Sequence, residues 1–402
     1  MNLSYLRDRV KKIVTEQEVS GEINIKGTVK YDGVFIPRAF FHNKTYKETI
    51  KKLTDTKELN RMLSNIMIIG TFNKLIRTYI DNRDNNDLVR GIKGFEKYAS
   101  ARFTYNIYVP IKGLEMSENK IALSRNVEII KIDEQSISDQ PPQLKYDSDI
   151  SHLYPTALRA EIISADFRKA MEMGIEIGKY VVNYLRLIDY HGWDKGSLTV
   201  RLPGYGFIQE ELRVFAVDKN GDGVHSWRDR KTDDNLLEID TFFLEDIEKL
   251  GKKAFGDLLD KHLSYETSDL DNSILRSITW FGEAKVELDQ GARFIKLMLA
   301  IESLFNSNIN DPITATLRDR LAFVLGETIE ERIEISSQFT DLYKLRSKIV
   351  HHGSSHVGYE ELLNLQDRAA NAIVEFLMNE ELLALKDKKE LQSFFEKKKF
   401  SS

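Results

Sequence analysis

Apolar residues alternate with polar ones through Ile23, Ile25, Val29 and Tyr31, through Phe103, Tyr105, Ile107, Val109 and Ile111, and again in Ile121 with Leu123 and Val127 with Ile129. A period of two marks strands with one covered face. Between the first two groups, Lys57 to Ile80 has helical spacing, so residues 1 to about 135 predict an α+β region. Ser136 to Asp149, poor in apolar residues and carrying Pro141 and Pro142, reads as a loop or linker.

A long helix is predicted from Ala165 to Asp189, with Phe167, Met171, Gly174, Ile177, Val181, Tyr184 and Ile188 on one face and Ser164 as its N-cap. Short strands follow at Leu198 to Leu202 and Leu212 to Val217. The polar stretch Asp218 to Asn235, rich in Gly and Asp, is the expected main boundary. Beyond it the pattern turns helical over Ile239 to Leu263, Asn272 to Asn306, Ile313 to Leu325, Ile329 to Val350 and Tyr359 to Leu385, with a short tail helix. The predicted fold class is therefore an α+β N-terminal region, residues 1–235 with a sub-boundary near 136–150, followed by an all-α antiparallel helical bundle over 236–402.

One position breaks the bundle's pattern. Phe339, Leu342, Arg346 and Ile349 follow one another at helical spacing, so a cation occupies a place in the apolar stripe where an aliphatic residue is expected. A buried guanidinium needs a partner. His351 stands five residues further on, about 140° around an ideal helix, so the two side chains converge only if the helix ends or bends there. Gly353 supplies such a stop.

The segment Leu342-Tyr-Lys-Leu-Arg-Ser-Lys-Ile-Val-His-His-Gly353, with the upstream helix Arg293-Phe-Ile-Lys-Leu-Met-Leu-Ala-Ile-Glu-Ser-Leu-Phe305, resembles the HEPN superfamily, and within it the Apea-like branch. Ser347 stands where many active members have Asn, Asp or His. The resemblance implies a metal-independent endoribonuclease in which two subunits bring their Arg-His pairs into one cleft. Arg346 would hold the scissile phosphate, His351 or His352 would carry the proton, and Glu302 would anchor Arg346 or orient a histidine. Tyr343 and Lys348 are candidate substrate contacts. A guanidinium can grip a phosphate bidentately, and imidazole exchanges protons near neutrality, so these residue types suit attack by an RNA 2′-hydroxyl. The implied partners are RNA, with tRNA as one target, a second copy joined through the bundle, and a phage or host trigger sensed by the N-terminal region of an antiviral abortive-infection effector. No cofactor is implied. The alternative is a catalytically inactive HEPN module for dimerisation or for nucleotide or partner binding, with Arg346 and Glu302 as a structural ion pair.

Composition narrows the rest. Among 402 residues there is no cysteine, which excludes disulfides and thiolate metal sites and fits a reducing cytoplasm. With 58 basic and 63 acidic residues the net charge is −5, so any contact with RNA has to be local. No apolar run is long enough for a membrane span, and Met1 to Lys12 lacks the apolar core of a signal peptide. Asp218 to Asp229 matches the start of a calcium loop, but the strand pattern before it favours a polar β-turn. Gly204-Tyr-Gly-Phe-Ile208 reads as a hairpin turn rather than an RNA-stacking motif, and the Gly between His352 and His356 argues against a metal pair. Lys397 to Lys399 is expected to be a solvated tail, and no phosphate-binding Gly loop is present.

Overall fold

The computed structural model describes residues 3–19, 28–31, 34–132, 156–189, 200–202, 212–217, 224–229, 237–305, 313–352 and 356–400. The expected linker Ser136 to Asp149 and the Gly204 to Ile208 turn lie outside them. Two compact units result, one of residues 1–107 with 161–174 and the other of 108–160 with 175–402. A mixed N-terminal region thus precedes a helical C-terminal part.

The first unit holds α1 (Leu3–Val19), a hairpin of β1 (Thr28–Tyr31) and β2 (Val34–Pro37), then α2 (Lys44–Thr54), α3 (Lys57–Met62), α4 (Asn65–Asn82) and α5 (Asn85–Ala99). Helix α1 was not among the elements predicted. It forms because Leu6, Val10, Ile13 and Val14 share one face, fully buried against Phe40, Phe72, Ile76 and Ile92. The helical stretch from Lys57 divides at Leu63, where Ser64 caps α4 by accepting from the Met67 N–H at 3.3 Å. Buried Asp166 accepts from the Ser64 N–H at 3.1 Å and from the Arg168 N–H at 3.0 Å, serving the starts of two helices at once. Asp166, rather than Ser164, therefore caps the long helix, and the Ser164 hydroxyl donates instead to the Met62 carbonyl at 3.0 Å.

The next strands are β3 (Phe103–Ile111), β4 (Leu114–Met116), β5 (Lys120–Ala122), β6 (Val127–Lys131) and β7 (Thr156–Ser164), followed by α6 (Phe167–Ile188). Strands β3, β7, β6 and β5 lie in that order in one sheet. The predicted apolar face of α6 is buried from Ile177 onward, but Phe167 and Met171 at its start are half exposed; Ala170 and Met173 face inward there. Arg186, buried on α6, donates to the Val200 carbonyl at 3.1 Å, to Asn183 Oδ1 at 2.9 Å and to the Gly282 carbonyl at 3.3 Å, and burial pulls its pKa down to about 10.

Strands β8 (Leu212–Val217) and β9 (Val224–Asp229) form an antiparallel hairpin, so the second half of the calcium-loop-like stretch is strand. Strand β10 (Leu237–Ile239) pairs in parallel with β4. That pairing, and Asp260 accepting from Ser124 Oγ at 2.8 Å and Asn126 Nδ2 at 2.9 Å, binds residues 114–131 to the helices that follow. The junctions between compact units consequently lie at 107, 160 and 174 rather than at 235.

The helices are α7 (Thr241–Lys249), α8 (Lys252–Leu263), α9 (Asp269–Lys285), α10 (Gln290–Phe305), α11 (Ile313–Leu325), α12 (Ile329–His352), α13 (Tyr359–Met378), α14 (Glu380–Leu383) and α15 (Lys388–Phe400). Three predicted helices are broken in two. Gly251, at φ 90°, separates α7 from α8. Asp289 caps α10 by accepting from the Ala292 N–H at 2.7 Å, and Asn379 caps α14. The expected solvated lysine tail is instead the last turn of α15, where Lys398 pairs with Glu381 at 3.1 Å and Lys399 with Asp319 at 3.0 Å. Among the described residues no helix is long and apolar enough to cross a membrane.

Helix α6 approaches α9 at Gly282, where an added Cβ would stand 2.6 Å from the Asn183 Cα. Gly282→Ala should therefore push the two helices apart and lower unfolding free energy by about 1–3 kcal/mol, as overpacking does, read from urea denaturation. At the far end of α10, Lys388 donates to the Ser303 and Leu304 carbonyls at 2.9 Å each. Burial, and then the nearby Arg320 and Arg276, lower its pKa to about 8 from 10.5. The native state then binds fewer protons than the unfolded chain between those values, so the stability Lys388 contributes is full above 10.5 and lost as pH falls through about 8. Denaturation across this range should show native protein gaining on Lys388→Met as pH rises; a pH-independent difference would contradict it.

Candidate functional site

Helix α12 supplies most of the predicted site. Its start is fixed by a capping box, in which the Glu331 N–H donates to Thr328 Oγ at 3.2 Å and the Glu331 carboxylate accepts from the Thr328 N–H at 3.0 Å. Of its 24 residues, the buried hydrophobics are Phe339 and Leu342, while Ile329 and Ile333 are 67% and 66% exposed and Val350 is 49% exposed. The apolar stripe read from the sequence is thus deep in the middle of the helix and shallow at Arg346 and Ile349, which are only partly covered. The helix packs against α10, α11 and α13.

Arg346 reaches Glu302 on α10, with Nη2 3.5 Å from Oε1 and the two side chains 24% and 16% exposed. The pairing is loose, since Glu302 Oε1 and Arg346 Nε are both buried with no hydrogen-bond partner. Burial raises the Glu302 pKa, and the Arg346 charge only partly opposes it. Tyr343 completes the group, with its ring centroid 5.7 Å from the guanidinium carbon. Burial and the Glu302 charge push the Tyr343 hydroxyl up, while Arg346 and a hydrogen bond with Thr314 pull the other way. On α10 the deepest face is Phe294, Leu297, Met298 and Ile301; Ile295, Leu299 and Glu302 form a second, half-covered face rather than the main stripe.

The structure therefore brings Arg346, Glu302 and Tyr343 together, with Glu302 anchoring Arg346 rather than a histidine. It does not bring His351 to them. The condition for convergence, a helix ending or bending after Arg346, is not met, because α12 stays helical through His352 and His351 is exposed on the last turn. The His352 side chain and Gly353 lie outside the described residues. Lys348 is exposed, and the Ser347 hydroxyl donates to the Tyr343 carbonyl at 3.2 Å, a local bond that keeps it from the guanidinium.

Two further cations near the start of α10 escaped the sequence reading. Arg293 donates from Nη2 to the buried Gln366 Oε1 on α13, and its Nε is buried without a partner. Lys285, at the end of α9, is close enough for the Arg293 charge to add to the burial that lowers its pKa. The signal available beforehand was the placement of Arg293 directly before Phe294, at the edge of a buried face. Among the described residues no group of three or more His, Asp or Glu side chains could hold a metal ion. In comparisons with protein families, curated proteins and solved structures, no significant match to this chain was found.

Proposed function

We propose that the chain is an HEPN-type endoribonuclease acting as a dimer, with Arg346 gripping the scissile phosphate and a terminal histidine of α12 moving the proton. The observation that carries the reading is the half-buried Arg346, held 3.5 Å from Glu302 and still lacking a partner for Nε. A desolvated, under-satisfied guanidinium gains most when a phosphate supplies the missing acceptors. The RNA 2′-hydroxyl attacks the adjacent phosphorus, the P–O5′ bond breaks, and the proton lost by the nucleophile is balanced by one delivered to the leaving oxygen. Arg346 offsets the charge that builds on the phosphoryl oxygens in between.

A second copy is needed because Arg346 and His351 face different sides of one continuous helix. The thin cover of α12 favours it, since Val350, Ile349 and Tyr343 border Arg346 and are incompletely buried. On this reading the bundle cleaves RNA, with tRNA among the targets, and the N-terminal region restrains it until a phage or host trigger arrives, as an abortive-infection effector in the cytoplasm requires. A second reading, an inactive HEPN module for dimerisation or ligand binding, is favoured by Ser347 and by an Arg346–Glu302 pair formed within one chain.

Purified protein incubated with total RNA in excess chelator distinguishes them. Cleavage should persist undiminished and leave 2′,3′-cyclic phosphate ends, because the 2′-hydroxyl route asks for no metal. End-group mapping that finds 5′-phosphates made only with added magnesium would contradict the mechanism, and no cleavage by any preparation favours the inactive module.

A further inference from the structure

In the C-terminal unit, the buried side-chain atoms left without a hydrogen-bond partner among the described residues belong to Arg293, Glu302 and Arg346. The nuclease reading uses the last two. Arg293 stands apart from them, nine residues before Glu302 on α10, where the last turn of α9, the first turn of α10 and the early part of α13 meet. It is an unusual place for a cation, because the positive end of a helix dipole disfavours one there and favours an anion. Its single side-chain bond is to Gln366, which is only 4% exposed. Lys285 lies beside it on α9.

Burial depresses the pKa of both groups, with the Arg293 charge adding to the effect on Lys285 and Asp189 opposing it. The neighbouring carboxylates are committed elsewhere: Glu287 to Lys296 Nζ at 2.8 Å, and Asp289 to the Ala292 N–H at 2.7 Å. Tyr359, whose hydroxyl acts electrostatically on Arg293, is 65% exposed, so this corner of the unit is open to water on one side. Two like charges brought together and partly stripped of water are stabilised by an anion that takes several donors at once.

We propose that Lys285 and Arg293, braced by Gln366, form a phosphate-binding site distinct from the Arg346 group. Its ligand chemistry is a phosphate oxyanion, either a free phosphate or monoester or a phosphodiester of an RNA chain. The orphaned Nε and the Nη donors give Arg293 the fork that such an anion accepts, and Lys285 supplies the second charge.

Full-length protein is titrated with inorganic phosphate against chloride at equal ionic strength, with melting temperature as the readout, and with a 2′-O-methyl RNA oligonucleotide followed by fluorescence anisotropy. Phosphate should raise the native melting temperature saturably. In Arg293→Met and Lys285→Met the half-saturating concentration should rise at least tenfold, while Arg293→Lys retains most of the response and the exposed-residue variant Lys389→Met retains all of it. The Met variants keep the aliphatic stem and shed a buried charge, so without phosphate they should melt no lower than native protein. RNA binding weakened by Arg293→Met identifies the phosphodiester as occupant; a phosphate response with RNA binding unchanged identifies the free anion. Arg346→Ala should respond to phosphate as native protein does, which separates this site from the nuclease reading. No saturable response of native protein to either probe, or one undiminished in both Met variants, overturns the proposal.

Discussion

Arg346→Ala should lower RNA cleavage by about 10²-fold or more while the protein stays folded, because it removes the group that offsets charge on the phosphoryl oxygens. His351→Ala should cost about 10²- to 10⁴-fold through loss of proton transfer; if His352→Ala is the dead variant instead, the proton carrier is the neighbouring residue. The arginine variant also leaves Glu302 buried without its counter-charge. Its pKa, already raised, should climb further, so Glu302 protonates rather than unfolding the bundle. Circular dichroism and a melting curve close to native separate a lost contact from a lost fold. Cleavage by Arg346→Ala equal to that of native protein would end the nuclease reading.

Mixing Arg346→Ala and His351→Ala subunits should restore cleavage that neither variant shows alone, to within a few-fold of native. The reason is the geometry of α12. Five residues along an unbroken helix turn the side chain by about 140°, so one copy presents its arginine inward toward Glu302 and its histidine to solvent. If the histidine of one copy serves the arginine of the other, the mixed dimer contains one complete pair. If each pair worked within a single chain, the mixed dimer would contain none and stay inactive. Light scattering on the native chain provides the companion measurement, and a monomer with full activity would also refute the composite site.

Some of this could be read directly from residue order. The helical C-terminal part was legible because its apolar residues recur at helical spacing over long stretches, and that period has no strand counterpart. So was the anomaly of Arg346, since a cation in an apolar stripe needs only its own helix to be noticed. The association of Arg346 with Glu302 was legible as one of two options, because both stood on half-apolar helices. The breaks within predicted helices were less accessible. Gly251 is a visible breaker, but the interruption before Asp289 depends on Glu287 finding Lys296 and on Asp289 capping the next helix, and the pattern of apolar residues runs through both.

Local pattern, then, determined which residues make helices and strands, which face of α12 and α10 turns inward, and which side chains were worth suspecting. Contacts between residues distant in the chain decided the remainder: the parallel pairing of β4 with β10, the capping of two helices by Asp166, the phosphate-facing corner of Lys285 and Arg293, and the separation of His351 from Arg346. Periodicity reports how a segment is covered but not what covers it. The energy of a pairing, a buried charge or a close glycine contact resides in the partner, which the segment itself does not encode.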